Sequence, residues 1–363
     1  MKKLLFNLSL LLLLISQGYA QQQPRDITFQ SNSAFNASAF SSDFQFGLLN
    51  VQDVEMSAYK TDPSAHALVL NEYGKAFFIS NTANPPIQFE YHTRIKIFDT
   101  TGIKYGSVEI PLYSRDKGSF ERVREVRGRT FFKDASGKII SADLTESQIK
   151  TIKIDDHHSV VRFTLPGLKK GCVIEYKYIF EGPYIMNFKT WEFQADIPKI
   201  LSTYNVIIPK FFGYDVSIKG PLKLSTSKFE ETKKCYYYNG LTTDCMNAVY
   251  GMENIPAFVA GPGMISAKDH RAAIYFQLTD MIAVPNFADR NYGVAISIGK
   301  DWKQFDKYLM MHDQLGEQLK AKSPFKSVMP AIVAGKTTDI DKAKAIYQYI
   351  QKEFKWNGYY SVL

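Results

Sequence analysis

The chain has 363 residues, 45 % hydrophobic and 22 % charged, with a formal charge of +8. That is globular composition, with enough apolar mass for a real core and a length that suggests about two domains. The basic excess is mild, two of its charges (Lys2 and Lys3) lie in a segment expected to be removed, and it makes no case for nucleic acid.

In chain order, residues 1–20 read as a signal peptide. Lys2 and Lys3 form the charged end, "LSLLLLLI" is the apolar stretch, and Gly18-Tyr19-Ala20 gives the small-x-small pattern that places cleavage between Ala20 and Gln21. The apolar run is short for a transmembrane helix. No Cys follows the cleavage point, which argues against a lipid anchor, and no later run is long enough to span a bilayer. The expectation is an exported, periplasmic protein of a gram-negative bacterium, with no transmembrane segment once the signal is removed. Residues 21–55, rich in Gln, Ser, Asn and Phe, lack a clear period and read as a leader, partly ordered by docking its phenylalanines.

Alternation with period two then takes over. In "IQFEYHTRIKIF", Ile87, Phe89, Tyr91, Ile95 and Ile97 point one way, and Gln88, Glu90, His92, Arg94 and Lys96 the other. "HALVLN", "GSVEIPL", "VREVRGRTFF", "SVVRFTL", "CVIEYKYIF", "KTWEFQA", "TYNVIIP", "YDVSIK", "KCYYY" and "AAIYFQL" extend the pattern, separated by turn residues such as Asp134-Ala135-Ser136-Gly137. Aromatics at 14 % fit a strand-rich body. The prediction is a mainly β protein, an antiparallel β-sandwich over 56–285 whose apolar sheet face a second sheet covers. From about 286 to 363 the period becomes helical. Trp302, Phe305 and Leu309 share one face, extended by His312. Ala343, Ile346, Tyr347, Ile350 and Phe354 share another, with Thr338 and Asp341 as capping pair.

Three cysteines matter in an oxidising compartment. Cys235 and Cys245 flank a hairpin around Asn239-Gly240. A three-residue loop would set them opposite each other and allow a disulfide, whereas a two-residue turn would set Cys235 opposite Asp244, so bonded and free states both stand. Cys172 alternates with Ile174, Tyr176, Tyr178 and Phe180, which predicts a buried, inert thiol. "DDHHS" (Asp155 to Ser159) reads as a polar turn, because adjacent strand residues face opposite sides and do not converge on a metal. The mixed charges of 115–138 read as a solvated strand face, and "GPGMIS" (Gly261 to Ser266) as a connecting loop. His66, His92 and His270 have no partner that sequence identifies. No catalytic, metal or cofactor site is expected.

The ordered phrases "SAHALVLNEYG", "LPGLKKGCVIEYKY", "TWEFQADIP", "YNVIIP", "ENIPAF" and "KAIYQYIQKEFKWNGYY" resemble exported gram-negative proteins built from the domain of unknown function numbered 3857 followed by a transglutaminase-like domain. The resemblance covers roughly residues 45–363. It implies a β-sandwich of unknown role, then the start of a papain-like α+β domain that carries a Cys-His-Asp triad in active members. No Cys lies after 245 and no His after 312, so the triad maps onto no position here, and the chain looks like a fragment of such a protein. The resemblance makes the sandwich a non-catalytic interaction module with a protein or cell-wall glycan partner. One alternative is the N-terminal part of a cysteine-dependent peptidase or transamidase whose catalytic residues lie beyond 363. The other is a carbohydrate-binding sandwich, for which Trp191 and Tyr236 to Tyr238 are the candidate exposed aromatics.

Overall fold

The structure, a computed structural model, describes residues 43–80, 86–238, 240–266, 268–283, 294–297, 302–311, 315–320, 322–323 and 325–355. The signal segment with Ala20 and Gln21, the leader up to residue 42, Asn239, His312 and residues 356–363 of the closing phrase lie outside the described residues. The chain divides into two compact units, 1–296 and 297–363.

The first unit carries β1 (Ala67–Phe78), β2 (Ile87–Ile97), β3 (Ser107–Asp116), β4 (Ser119–Phe120), β5 (Arg122–Lys133), β6 (Ile139–Asp143), β7 (Lys150–Lys153), β8 (His158–Thr164), β9 (Val173–Gly182), β10 (Trp191–Glu192), β11 (Lys199–Pro209), β12 (Phe212–Lys219), β13 (Thr226–Tyr238), β14 (Leu241–Ile255), β15 (Ala273–Ala283) and β16 (Val294–Ser297). One sheet has eight strands in the order β13-β14-β11-β1-β2-β9-β5-β6. Two smaller ones follow the orders β10-β15-β12, with β16 on β15, and β4-β3-β8-β7. The expected mainly β, antiparallel sandwich is what the chain forms. One pair departs from it: β1 and β11 run parallel. They are joined through all the intervening strands, the long connection that parallel neighbours need.

Both small sheets lie on the same face of the large one. Under the β3–β8 sheet, Ala67, Val69, Ile95, Ile97, Leu165, Cys172, Ile174 and Ile197 form a buried cluster. Under the β12–β15 sheet the packing is aromatic: Phe78 stacks on Phe212, Phe188 meets Phe276, and Trp191 lies flat on Tyr204 at 5.0 Å. A register shift between Val69 and Asn71 pairs Glu72 with Thr93, Gly74 with Tyr91 and Ala76 with Phe89. It thereby turns Glu72, Gly74 and Ala76 onto this covered face. Gly74 sits under the indole. A Cβ there would lie 2.2 Å from Trp191 Cζ3. Gly74→Ala is therefore expected to lower stability by about 1–3 kcal/mol through overpacking, read from the urea midpoint. An unchanged midpoint would show that the indole yields freely.

At His92, Arg94 and Lys96 the polar side of β2 is buried. The segment from Asp43 to Tyr59 crosses it, with helix α1 (Val51–Glu55) capped by the Asn50 side chain. Leu49 and Val54 pack on Leu68, Leu70, Phe98, Phe131 and Val173. Lys96 is enclosed and donates to the carbonyls of Val54 and Gly171, both at 2.7 Å. Burial pushes its ammonium down to about 8, only partly opposed by Cys172 and Asp53. In the unfolded chain the group titrates near its ordinary 10.5, so between those values the unfolded state holds the extra proton. This group makes stability rise with pH from about 8 to 10.5, by at most about 1.4 kcal/mol per pH unit. Lys96→Met should remove that slope from urea unfolding at pH 8 and pH 10; an identical slope would contradict it.

The second unit holds α2 (Trp302–Met311), α3 (Gly316–Lys320), α4 (Met329–Ile332) and α5 (Asp339–Glu353). Thr338 caps α5: its Oγ1 accepts from the Asp341 amide at 3.1 Å and donates to the Asp341 carboxylate at 2.7 Å. Both expected capping residues act, although the acid takes the hydroxyl and not the cap amide. Tyr347, Ile350 and Phe354 on the expected stripe remain exposed, as do Trp302, Met310 and Met311 of α2.

Candidate functional site

Strand β9, continuing from Cys172 just before it, places Ile174, Tyr176, Tyr178 and Phe180 alternately on the covered face. Ile174 and Phe180 are buried. Between them Tyr176 and Tyr178, with Tyr91 of β2, are only half-buried. Tyr176 meets Phe163 of the β3–β8 sheet at 5.8 Å. Tyr91 meets Trp191 of the other small sheet at 5.8 Å and stacks on Tyr178 at 5.2 Å. The three phenols therefore connect the packing under one covering sheet to that under the other. Burial pushes all three well above the ordinary phenol range, so they are neutral donors at pH 7.

Glu72 adjoins this tyrosine row. Its carboxylate accepts from the Tyr91 hydroxyl at 2.9 Å, Lys199 at 2.6 Å and the Ser202 hydroxyl at 2.7 Å. Trp191 Nε1 donates to the Ser202 oxygen, and Lys199 also donates to the Glu192 carbonyl. Along β9, beyond Tyr178, the ammonium of Lys189 lies 3.3 Å from the Phe180 ring centroid. Burial lowers its pKa, with Glu121 opposing. Among the connecting segments, Tyr105 donates to Asp196 at 2.8 Å, and Tyr184 donates to the Ser119 carbonyl at 2.6 Å.

On the opposite face, His92 lies between two carboxylates. Nδ1 is 2.7 Å from Asp43 Oδ1, and Nε2 is 2.9 Å from Glu175 Oε1. Arg94 donates to the same Glu175 oxygen at 2.8 Å, and the Gly47 amide donates to the other at 3.0 Å. Phe44 stacks on the imidazole at 3.7 Å and Arg127 covers Phe46 at 4.6 Å. This set fastens the N-terminal segment to the sheet. It offers no nucleophile.

A third feature is the β13–β14 hairpin at the sheet edge. Tyr238 pairs with Leu241 across a two-residue turn, yet Cys235 and Cys245 are bonded, with Cα atoms 5.8 Å apart. The bond therefore does not need the three-residue loop that turn length alone demanded. A register shift between Thr232 and Tyr236, with Lys234 at φ 51°, brings Cys235 to Cys245 without changing the turn. Ser227 to Lys234 are exposed throughout. Phe229 (61 % exposed), Tyr237, Leu241 and Met246 add apolar surface to the arm.

The remaining sequence expectations fare differently from one another. Cys172 is free and buried, and burial pushes its thiol up. Asp155 accepts from the His157 and His158 amides, both at 2.8 Å, as a turn residue does, and among the described residues no cluster suited to a metal occurs. The 115–138 run is not simply solvated: Arg122 and Arg124 converge on buried Glu181, and Arg129 pairs with Asp143. Trp191 and Tyr236 are 3 % exposed, so they form no exposed aromatic row; core packing claims both. His66 pairs with Asp99 at 2.6 Å. Sequence missed that pair, and also the Asp43–His92–Glu175 set, because its members come from separate segments.

Two smaller sheets cover one face of a broad sheet, and the stretch from β2 to the β13 turn supplies much of both layers. Residues 86–239 match DUF3857. That family model is described as a domain of unknown function with solved structure. No curated protein matches the chain. Among solved structures, a protein from Parabacteroides distasonis described as a "putative protease" superposes with TM-score 0.51 at 13 % identity, over 79 % of this chain and 50 % of that one. The likeness to it is one of fold, and this chain spans half its length. A "putative nutrient binding protein" from Legionella pneumophila aligns at 8 % identity over 82 % of this chain and 89 % of that one. Its TM-score of 0.28 is too low to indicate a shared fold.

Proposed function

We propose that the DUF3857 region is the core of a non-catalytic interaction module in an exported protein, positioning a transglutaminase-like domain that begins in the helical unit. The disulfide-clamped hairpin carries this reading. It presents exposed Phe229, Tyr237, Leu241 and Met246 on an edge stiffened by the Cys235–Cys245 bond, the arrangement of a rigid docking arm. The disulfide fits an oxidising compartment such as the periplasm, and no described helix is long and apolar enough to cross a membrane. The exposed stripes of α2 and α5 support the second part, since short amphipathic helices need a partner surface.

Two measurements test it. The purified chain should neither hydrolyse peptides nor join an amine donor to a glutamine substrate; turnover of either would overturn the reading in favour of a catalytic module. In cells, replacing Phe229, Tyr237, Leu241 and Met246 together with serine should release the protein from its envelope complexes while the melting temperature holds. Undiminished crosslinking to partners would remove the hairpin from the interface.

A further inference from the structure

The small sheet β10-β15-β12 ends on β12, whose outer edge is open. Asp215, Val216, Ser217, Ile218 and Lys219 are all exposed, and among the described residues β12 pairs with β15 alone. Tyr214 meets Phe188 inside the sandwich at 5.2 Å, so by alternation Val216 and Ile218 share that inner face. Their neighbours across the ladder, Phe276 and Ile274, are buried, yet Val216 and Ile218 are 38 % and 47 % exposed. Lys219 lies over Tyr275 on the outer face, 4.6 Å from the ring centroid, and Asp215 and Ser217 alternate with it there. Natural sheets blunt open edges with short strands, prolines, bulges or lysines. Edge strands β4, β6, β7 and β10 have two to five residues, and β13 is broken by the shift at Thr232 to Tyr236. From Tyr214 onward β12 carries only the terminal Lys219: its own register shift lies before, at Gly213, and Gly220 follows at φ +88°.

We propose that β12 pairs antiparallel with β12 of a second copy of this chain, about a two-fold axis through Ser217. The strand is its own complement in that register. Asp215 falls opposite the partner's Lys219, and Lys219 opposite the partner's Asp215, on the outer face. Val216 falls opposite the partner's Ile218, and Ile218 opposite the partner's Val216, on the inner face. An axis perpendicular to the sheet keeps inner face with inner face, so the register must centre on a residue. Centring on Asp215 opposes two carboxylates, and centring on Lys219 opposes two ammonium groups. Centring on Val216 sets Asp215 against Ser217 and Lys219 against Gly213. Centring on Ile218 sets Lys219 against Ser217 and Val216 against Gly220. Of these registers, the one about Ser217 alone matches opposite charges and apolar pairs together. It joins the two small sheets into one that continues across the dimer. The contact is one strand long, so a Kd of about 1–100 μM is expected of it. The inference goes beyond the interaction-module reading and uses a different edge from the hairpin.

Sedimentation equilibrium of the full chain, taken up to about 500 μM, should show a monomer–dimer equilibrium. Asp215→Lys and Lys219→Asp each oppose like charges twice across the axis. Each should weaken the dimer at least about tenfold, with an unchanged melting temperature because both sites are exposed. An equimolar mixture of the two variants restores both opposite-charge pairs and should associate as the natural chain does. Self-association through the exposed faces of α2 or α5 would not follow this exchange of charge. The axis also sets residue 217 against itself, within reach of a disulfide. Oxidised Ser217→Cys should therefore link two chains, and Asp215→Cys should not. The proposal is overturned if the chain stays monomeric, if the single reversals leave association unchanged, if their mixture stays apart, or if both cysteine variants link equally. None of those results touches the hairpin variant, whose release from envelope complexes decides the interaction module independently.

Discussion

Glu175→Ala is expected to destabilise the sandwich unit by about 3–5 kcal/mol, the scale for removing one partner of a buried charged set. Glu175 is fully buried and accepts from His92, Arg94 and the Gly47 amide. Each ring nitrogen of His92 faces a carboxylate. Without Glu175, Arg94 and His92 keep their enclosure and lose their shared acceptor, while the Gly47 amide loses the oxygen it donates to. Urea unfolding measures the loss. Limited proteolysis supplies the local signature: cleavage between residues 43 and 59 should rise well before global unfolding. Equal protection of that segment in the variant would show that Phe44, Phe46 and Leu49 hold it without the carboxylate.

The second large effect belongs to the other face. Glu72→Ala leaves the Lys199 ammonium buried with only the Glu192 carbonyl, which should again cost about 3–5 kcal/mol. A paired replacement, Glu72→Leu with Lys199→Met, discriminates the cause. If the stranded charge is responsible, the double variant should regain most of the loss, because an apolar pair of similar volume often equals a buried ion pair. If it is as unstable as the single variant, the Ser202 and Tyr91 bonds to Glu72 matter more than the charge.

Period-two alternation made the strands legible, since it reports which face a side chain takes. β2 and β9 follow it residue by residue. It does not report what covers that face. The single second sheet expected from sequence is two sheets. The side of β2 that carries His92, Arg94 and Lys96 is covered by a segment with no period of its own. The hairpin reading covers β14 only as far as Cys245; its continuation to Ile255 has no counterpart in it. The disulfide register was open because turn length alone was weighed, and the shift at Thr232 to Tyr236 decides it. The candidate site was half legible: Tyr176 and Tyr178 stood out as a strand face, but Lys189 and Glu72 reach it from elements that only the fold brings near.

The strap that crosses the second face has a kinetic consequence. Gly47 waits for Glu175, 128 residues later, and Glu72 for Ser202, 130 residues later. A chain that emerges N-terminus first therefore cannot close the second of these bonds until Ser202 has emerged, nor the first until Glu175 has. Contacts of such range make for slow folding. The newly delivered front end must stay unassembled in the meantime, exposed to holding chaperones and proteases alike.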